Sequence, residues 1–165
     1  MNLASQDRSG TLPLALLRIT LGVIILATWL DNLDKDLYTA DGLKGFLDWL
    51  FAEDGNGSSL GFYDSLVDAL VVPVAGPYGM FQLVVELAIG VGLVLGLMTR
   101  LSSLVAALFF FNLFLAYFGG DEWIWTYVLL FMSSLVVFLG WGGRKFGVDE
   151  RLSRTRGESP RTLLW

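Results

Sequence analysis

Four stretches of the chain are almost free of charge, and they alternate with segments in which acids and bases are frequent. Leu101–Gly120 and Trp123–Gly143 run for 20 and 21 residues without a charged side chain, matching the roughly 20 helical residues that a bilayer core requires. Leu12–Leu30 is apolar apart from Arg18, and Thr11 followed by Pro13 supplies a helix start. Pro77–Met98 carries a single charge, Glu86, and opens on a proline suited to a first helical turn. The pattern predicts an all-α integral membrane protein, a bundle of four transmembrane helices with spans at about 12–31, 77–98, 101–118 and 123–143. The first apolar run exceeds the roughly 7–15 residues of a signal peptide, and no A-x-A site follows it, so it is expected to remain as an anchor.

Between the first two spans lies a polar segment with a helical period of its own. After Asp41, a good N-cap, the residues Leu43, Phe46, Leu47, Leu50 and Phe51 share one helical face. A turn cluster at Asp54–Ser59 follows, and Ser59 is placed to cap a stretch in which Tyr63, Leu66, Val67, Leu70 and Val71 recur at helical spacing. Residues 41–72 therefore predict amphipathic helices lying as a lid over the outer end of the bundle. Residues 1–148 make up the membrane domain. Residues 149–165 read as a short, flexible, basic cytoplasmic tail whose Leu163-Leu164-Trp165 end dips back toward the interface.

Composition narrows the chemistry. Of 165 residues, 55% are apolar and 16% charged, against about 25% charged in an ordinary soluble domain, and the mean hydropathy is +0.62. The absence of Cys and His removes disulfide exchange, iron–sulfur clusters, zinc thiolate sites and imidazole-held haem or copper. No metal ligand set is expected. The pI near 4.5 speaks against nucleic acid as a partner.

The position of the charges sets an orientation. Arg8, Arg100, Arg144, Lys145, Arg151, Arg154, Arg156 and Arg161 fall on one side of the spans, and only Lys35 and Lys44 on the other. The positive-inside rule then places both termini in the cytoplasm of a multi-pass cell-membrane protein. The outer segments sum to −9, the inner ones to +4, and Arg18 and Glu86 cancel inside the bilayer. Such an outer face favours a neutral ligand, or one arriving through the lipid, over an anion.

The intramembrane polar residues are the candidate chemistry, because a charge in hydrocarbon costs about 2.5–3.5 kcal/mol on insertion scales. Arg18 and Glu86 either answer each other as a buried pair or line a polar site for a quinone headgroup or a proton. Helical rise puts Arg18 roughly 9 Å and Glu86 roughly 18 Å from the inner ends of their spans, so a pair requires Arg18 to reach upward. Gln82 precedes Glu86 by four residues on the same face. Asn112, in the third span, suits either a quinone carbonyl or a bond to a neighbouring helix. Ala88, Gly92 and Gly96, with Gly90 beside them, form a small-residue stripe that reads as a packing seam.

Several short motifs, taken together, resemble the DoxX family and more narrowly its DoxD-like members, the small subunit of thiosulfate:quinone oxidoreductase. They are Leu17-Arg18-Ile19 with Leu21-Gly22, Glu86-Leu87 with Gly90, Gly96-Leu97-Met98-Thr99-Arg100-Leu101, Gly142-Gly143-Arg144, and Val148-Asp149. The resemblance covers about three quarters of the chain and implies a compact four-helix membrane bundle that accompanies a redox partner. It carries over importance for Arg18, Glu86, Arg100 and Arg144. With no residue able to hold a metal or thiol redox centre, electrons would pass through an organic group such as a bound quinone. The expected pocket lies among spans one, two and three beneath the lid, lined by Arg18, Gln82, Glu86 and Asn112. The expected partners are the lipid bilayer, a redox subunit and other copies of the chain. Alternative readings are a non-catalytic scaffold or lipid- and cargo-handling bundle and, with less support, a small transporter.

Overall fold

The structure, a computed structural model, describes residues 12–52 and 57–156, and in that range it holds α-helices and short 3-10 turns with no strand. The helices are α1 (Leu12–Asp34), α2 (Ala40–Leu50), α3 (Gly61–Leu70), α4 (Ala75–Leu95), α5 (Thr99–Ala116), α6 (Trp125–Leu139) and α7 (Val148–Arg156). Three segments are long and apolar enough to cross a membrane: Leu12–Asp34, the run Gly61–Leu95 that joins α3 to α4, and Thr99–Ala116. The fourth apolar helix, α6, has 15 residues, about 22 Å at the α-helical rise, and is shorter than the expected 123–143 span. Gly140 caps it, Trp141 then takes a left-handed conformation (φ 57°), and Gly142–Arg144 form a 3-10 turn.

α1 packs on α4 and α6, and α5 on α4 and α6, so the four long elements close a ring. Its core is Leu21 and Ile25 of α1, Ile89 and Leu93 of α4, Ala106 and Phe110 of α5, and Val137 of α6. Large apolar side chains such as Leu16, Val23, Val84, Leu129 and Leu139 point outward, exposed. A surface of this kind suits lipid rather than water.

Close helix contact depends on particular glycines. A Cβ on Gly22 of α1 would lie 2.9 Å from the Gly90 carbonyl of α4, so α1 and α4 meet backbone to backbone. The stripe expected from Ala88, Gly92 and Gly96 does not act as one seam. Ala88 is exposed, Gly92 faces Ser102 of α5, and Gly96 faces Arg18. A period of four drifts around a 3.6-residue helix, so the three positions face different neighbours.

One end of the ring, here the basic end, is tied by a clasp of residues distant in sequence. α4 stops where Gly96 turns left-handed (φ 65°), with the N–H groups of Gly96 and Leu97 both donating to the Gly92 carbonyl, a Schellman arrangement. α5 then begins at Thr99 with no cap from its own N-cap residue, Met98. The carboxylate of Asp149 caps it instead, accepting from the Met98 N–H at 2.9 Å and the Thr99 N–H at 2.8 Å. Negative charge there also meets the positive end of the helix dipole. The Asp149 N–H returns to the Gly96 carbonyl. Arg18, fully buried, lies against Gly96 and Gly147 and donates from Nη2 to the Phe146 carbonyl at 3.0 Å. Asp149 is close enough to act on it electrostatically.

Several local expectations are corrected. The cap of α2 is Thr39, whose side chain accepts from the Gly42 N–H, and not Asp41. Ser59 does not cap α3; its N–H and hydroxyl both donate to the Phe118 carbonyl, tying the α2–α3 loop to the end of α5. The segment 148–156 is helical rather than a loose tail, because Asp149 is drawn into the clasp. The expected Thr11 start, the 53–56 part of the turn cluster and the Leu163-Leu164-Trp165 end lie outside the described residues.

Removing the clasp carboxylate deletes two charge-assisted hydrogen bonds and a negative charge near Arg18. Asp149→Ala is expected to cost at least about 3 kcal/mol in reversible unfolding. Combining it with Arg18→Met should cost clearly less than the sum of the single changes. Strict additivity would mean that the two groups are energetically independent.

Candidate functional site

At the other, acidic end the ring does not close completely. A cavity of about 780 Å³ lies among α1, α4, α5 and α6 with α2 and α3 over it, within the roughly 300–1,000 Å³ typical of small-molecule sites. Most of its wall is aliphatic and aromatic. Its polar groups include Asn32, Tyr63, Tyr78, Gln82, Glu86 and Asn112.

Glu86, only 1% exposed, is the centre of a small network. The Tyr38 hydroxyl donates to its Oε2 at 2.6 Å, the Asn32 amide donates to the same oxygen at 3.3 Å, and the Gln82 amide donates to Oε1 at 2.6 Å. Gln82 arrives by the helical i, i+4 relation. Tyr38 arrives because the 35–39 turn folds back on α4 where Gly79 leaves room for its backbone. Burial pushes the Tyr38 hydroxyl above its ordinary range, with the Glu86 carboxyl adding to the push. Tyr38 is therefore a protonated donor at neutral pH.

A second polar contact spans the cavity from its roof. The Tyr63 hydroxyl on α3 donates to Asn112 Oδ1 on α5 at 2.9 Å, leaving the amide N–H groups of Asn112 for another acceptor. Around it, Leu50, Tyr63, Val67 and Ala116 form a separate apolar cluster that seats α2 and α3 on α5. Tyr117 and Tyr127 stack at 5.3 Å on the cavity wall.

Of the residues singled out from the sequence, Gln82, Glu86 and Asn112 line this cavity and Arg18 does not. Arg18 and Glu86 do not meet. Helical side chains lean toward the N-terminus of their own helix, and α1 and α4 run in opposite directions, so Arg18 leans to the basic end and Glu86 to the acidic end. Arg100 is also at the basic end, its guanidinium 4.8 Å from the Phe138 ring centre and 4.4 Å from that of Trp141, a cation–π sandwich. Arg144 belongs to the 3-10 turn beside the clasp. Among the described residues no group of three or more His, Cys, Asp or Glu could hold a metal ion.

Sequence reasoning missed Tyr38, Asn32 and the role of Tyr63. Tyr38 sits in a run of charges where it reads as a loop residue. The hint was that it is the one aromatic in a segment that must fold back over a buried acid. Tyr63 was hidden inside the apolar stripe of α3.

A family model described as the TQO small subunit DoxD matches residues 14–165. No curated protein and no solved structure matches the chain.

Among the described residues, the roof is held to the α5 wall by a direct side-chain bond at Tyr63. Tyr63→Phe should cost about 1 kcal/mol of local stability and raise amide exchange in α3 about fivefold, read by hydrogen–deuterium exchange, while α1 amides remain unchanged. Unaltered α3 exchange would mean that apolar contacts alone seat the roof.

Proposed function

This chain belongs to the DoxD family, and from that premise we propose that it is the membrane subunit of a quinone-linked oxidoreductase, offering a quinone pocket at its acidic end. The observation that carries the reading is the cavity under α2 and α3, with a mostly apolar wall and a hydrogen-bonded carboxyl at its inner edge. A quinone, when bound, accepts two electrons and two protons and leaves as the quinol. The groups present fit that ligand: flat aromatic walls for a ring, an amide at Asn112 to donate to a carbonyl oxygen, and few charges to oppose a neutral molecule.

The chain's own residues supply binding and proton handling. Among the described residues, Glu86 is the carboxyl buried against the cavity, and Tyr38 and Gln82 hold it in place from two sides. Tyr38 connects it to the 35–39 turn, beside which Asp31 at the end of α1 pairs with Lys35 at the exposed rim. Protons would pass inward along this polar edge, from the rim to Tyr38 and Glu86. Electrons would come from a partner subunit, since the chain has no Cys or His to hold a thiol or imidazole-ligated redox centre. The clasp at the basic end ties α4, α5 and the C-terminal segment together.

The same reading gives the protein four crossings, with α6 and its flanking turns as the fourth. It puts the basic end, with Arg100 and Lys145, in the cytoplasm and α2 and α3 on the outer face of the cell membrane. The partner subunit docks on one of these ends.

A short-chain quinone analogue should raise the unfolding midpoint of the purified protein; saturation to about 100 times Kd corresponds to about 2.7 kcal/mol. Glu86→Gln should weaken the analogue at least tenfold while leaving the helical circular dichroism of the protein unchanged. A wild-type protein that shows no shift with any quinone analogue would overturn the reading.

A further inference from the structure

The walls of the cavity end in exposed residues of two opposite kinds. On one edge stand Asp31 and Lys35, joined by an ion pair of 2.6 Å. On another stand Leu66 and Leu70 of α3, Phe81 of α4 and Leu108 of α5, which line the cavity and yet are 47%, 65%, 63% and 59% exposed. Such apolar side chains, half open to the surroundings and half facing an interior space, mark an opening toward lipid rather than toward water.

The helices explain why the opening is there. Near the basic end α4 and α5 are in close contact: Gly92 leaves no room for a Cβ beside Ser102, and Ile89 and Leu93 share a core with Ala106 and Phe110. Toward the acidic end the same two helices are separated by the cavity, whose wall takes Phe81, Gln82 and Val85 from one and Leu108, Asn112 and Leu113 from the other. α3 crosses above the gap and adds Leu66 and Leu70 to its edge without filling it.

We infer that this gap, framed by Leu66, Leu70, Phe81 and Leu108, is a lateral gate through which the ligand enters from the bilayer. A membrane quinone bound here would hold its ring near Glu86 and Asn112 and pass its chain out through the gate. This rests on the quinone reading of the cavity. The cavity, about 780 Å³, is ample for a ring, and its apolar edge gives a chain a way out to the lipid. The gate supplies one made only of hydrocarbon, and the acidic outer surface is bypassed.

The test narrows the gate without touching the polar groups. Phe81→Trp and Leu108→Trp are made separately, with Leu129→Trp, on an exposed position of α6 outside the cavity, as control. Each protein is reconstituted in lipid nanodiscs. The half-saturating amount of a decyl-substituted benzoquinone and of the same ring without a chain is read from the unfolding midpoint. The gate predicts that one or both narrowing variants need at least tenfold more of the chain-bearing quinone, that the chainless ring is bound within twofold of wild type, and that the control is unchanged. Unaltered binding of both ligands in both narrowing variants overturns the gate, and so does an equal loss of both ligands, which would report damage to the ring site. A wild-type protein that binds neither ligand refutes the quinone reading itself. A wild-type protein that binds the ring equally well with and without its chain leaves that reading standing and overturns the placement of the chain in the gate.

Discussion

A guanidinium buried in the first helix has to be answered, and most of the architecture at one end of this protein is the answer. Arg18 is fully enclosed, and an unanswered charge in such a place costs several kcal/mol. The direct reply comes from the far end of the sequence, as the Phe146 carbonyl accepting from Nη2, and the Asp149 carboxylate acts on the guanidinium at longer range. The same carboxylate also satisfies two amides at the start of α5 that no neighbouring side chain caps. Asp149 thus joins the α4–α5 turn to the C-terminal segment, and Arg18 ties the first helix to that segment through Phe146. Gly96, Gly143 and Gly147 are glycine because a Cβ at each would collide with Arg18, Thr99 or Asp149.

Fixing the basic end in this way leaves the acidic end free to stay open. Ile89, Leu93, Ala106 and Phe110 pack densely in the core beside the clasp, and beyond them the helices enclose space instead of side chains. A rigid end and a hollow end suit a binding protein, since a pocket keeps its shape only if something else sets the helix positions. The two intramembrane charges have different tasks accordingly: Arg18 secures the frame, and Glu86 faces the space inside it.

Much of this was legible in the sequence, for reasons that can be traced. The apolar runs gave the membrane class and the long helices, because uncharged stretches long enough to cross a bilayer are too long for the core of so small a soluble domain. Gln82 and Glu86 were seen as neighbours because the i, i+4 relation is local, and Asn112 stood out as a polar residue in a long apolar run. What escaped was everything that depends on tertiary approach. The caps at Asp41 and Ser59 were misassigned because α2 starts earlier, with Thr39 accepting from the Gly42 N–H, and because Ser59 is held by the distant Phe118 carbonyl. Asp149 was counted as one charge among several on the basic side, since nothing local reveals that it reaches the start of α5. The separation of Arg18 from Glu86 was within reach, however. Two antiparallel helices lean their side chains in opposite directions, and that rule needs only the direction of each span.

The dependence of Arg18 on Asp149 also has a temporal side. The chain is made from its N-terminus, at about 5–20 residues per second, so α1 enters the bilayer on the order of ten seconds before its counter-charge exists. During that interval the first helix carries an unanswered cation in a medium that penalises it. A chain that stops short of Asp149 therefore lacks the carboxylate that caps the start of α5, although every apolar span has already been made.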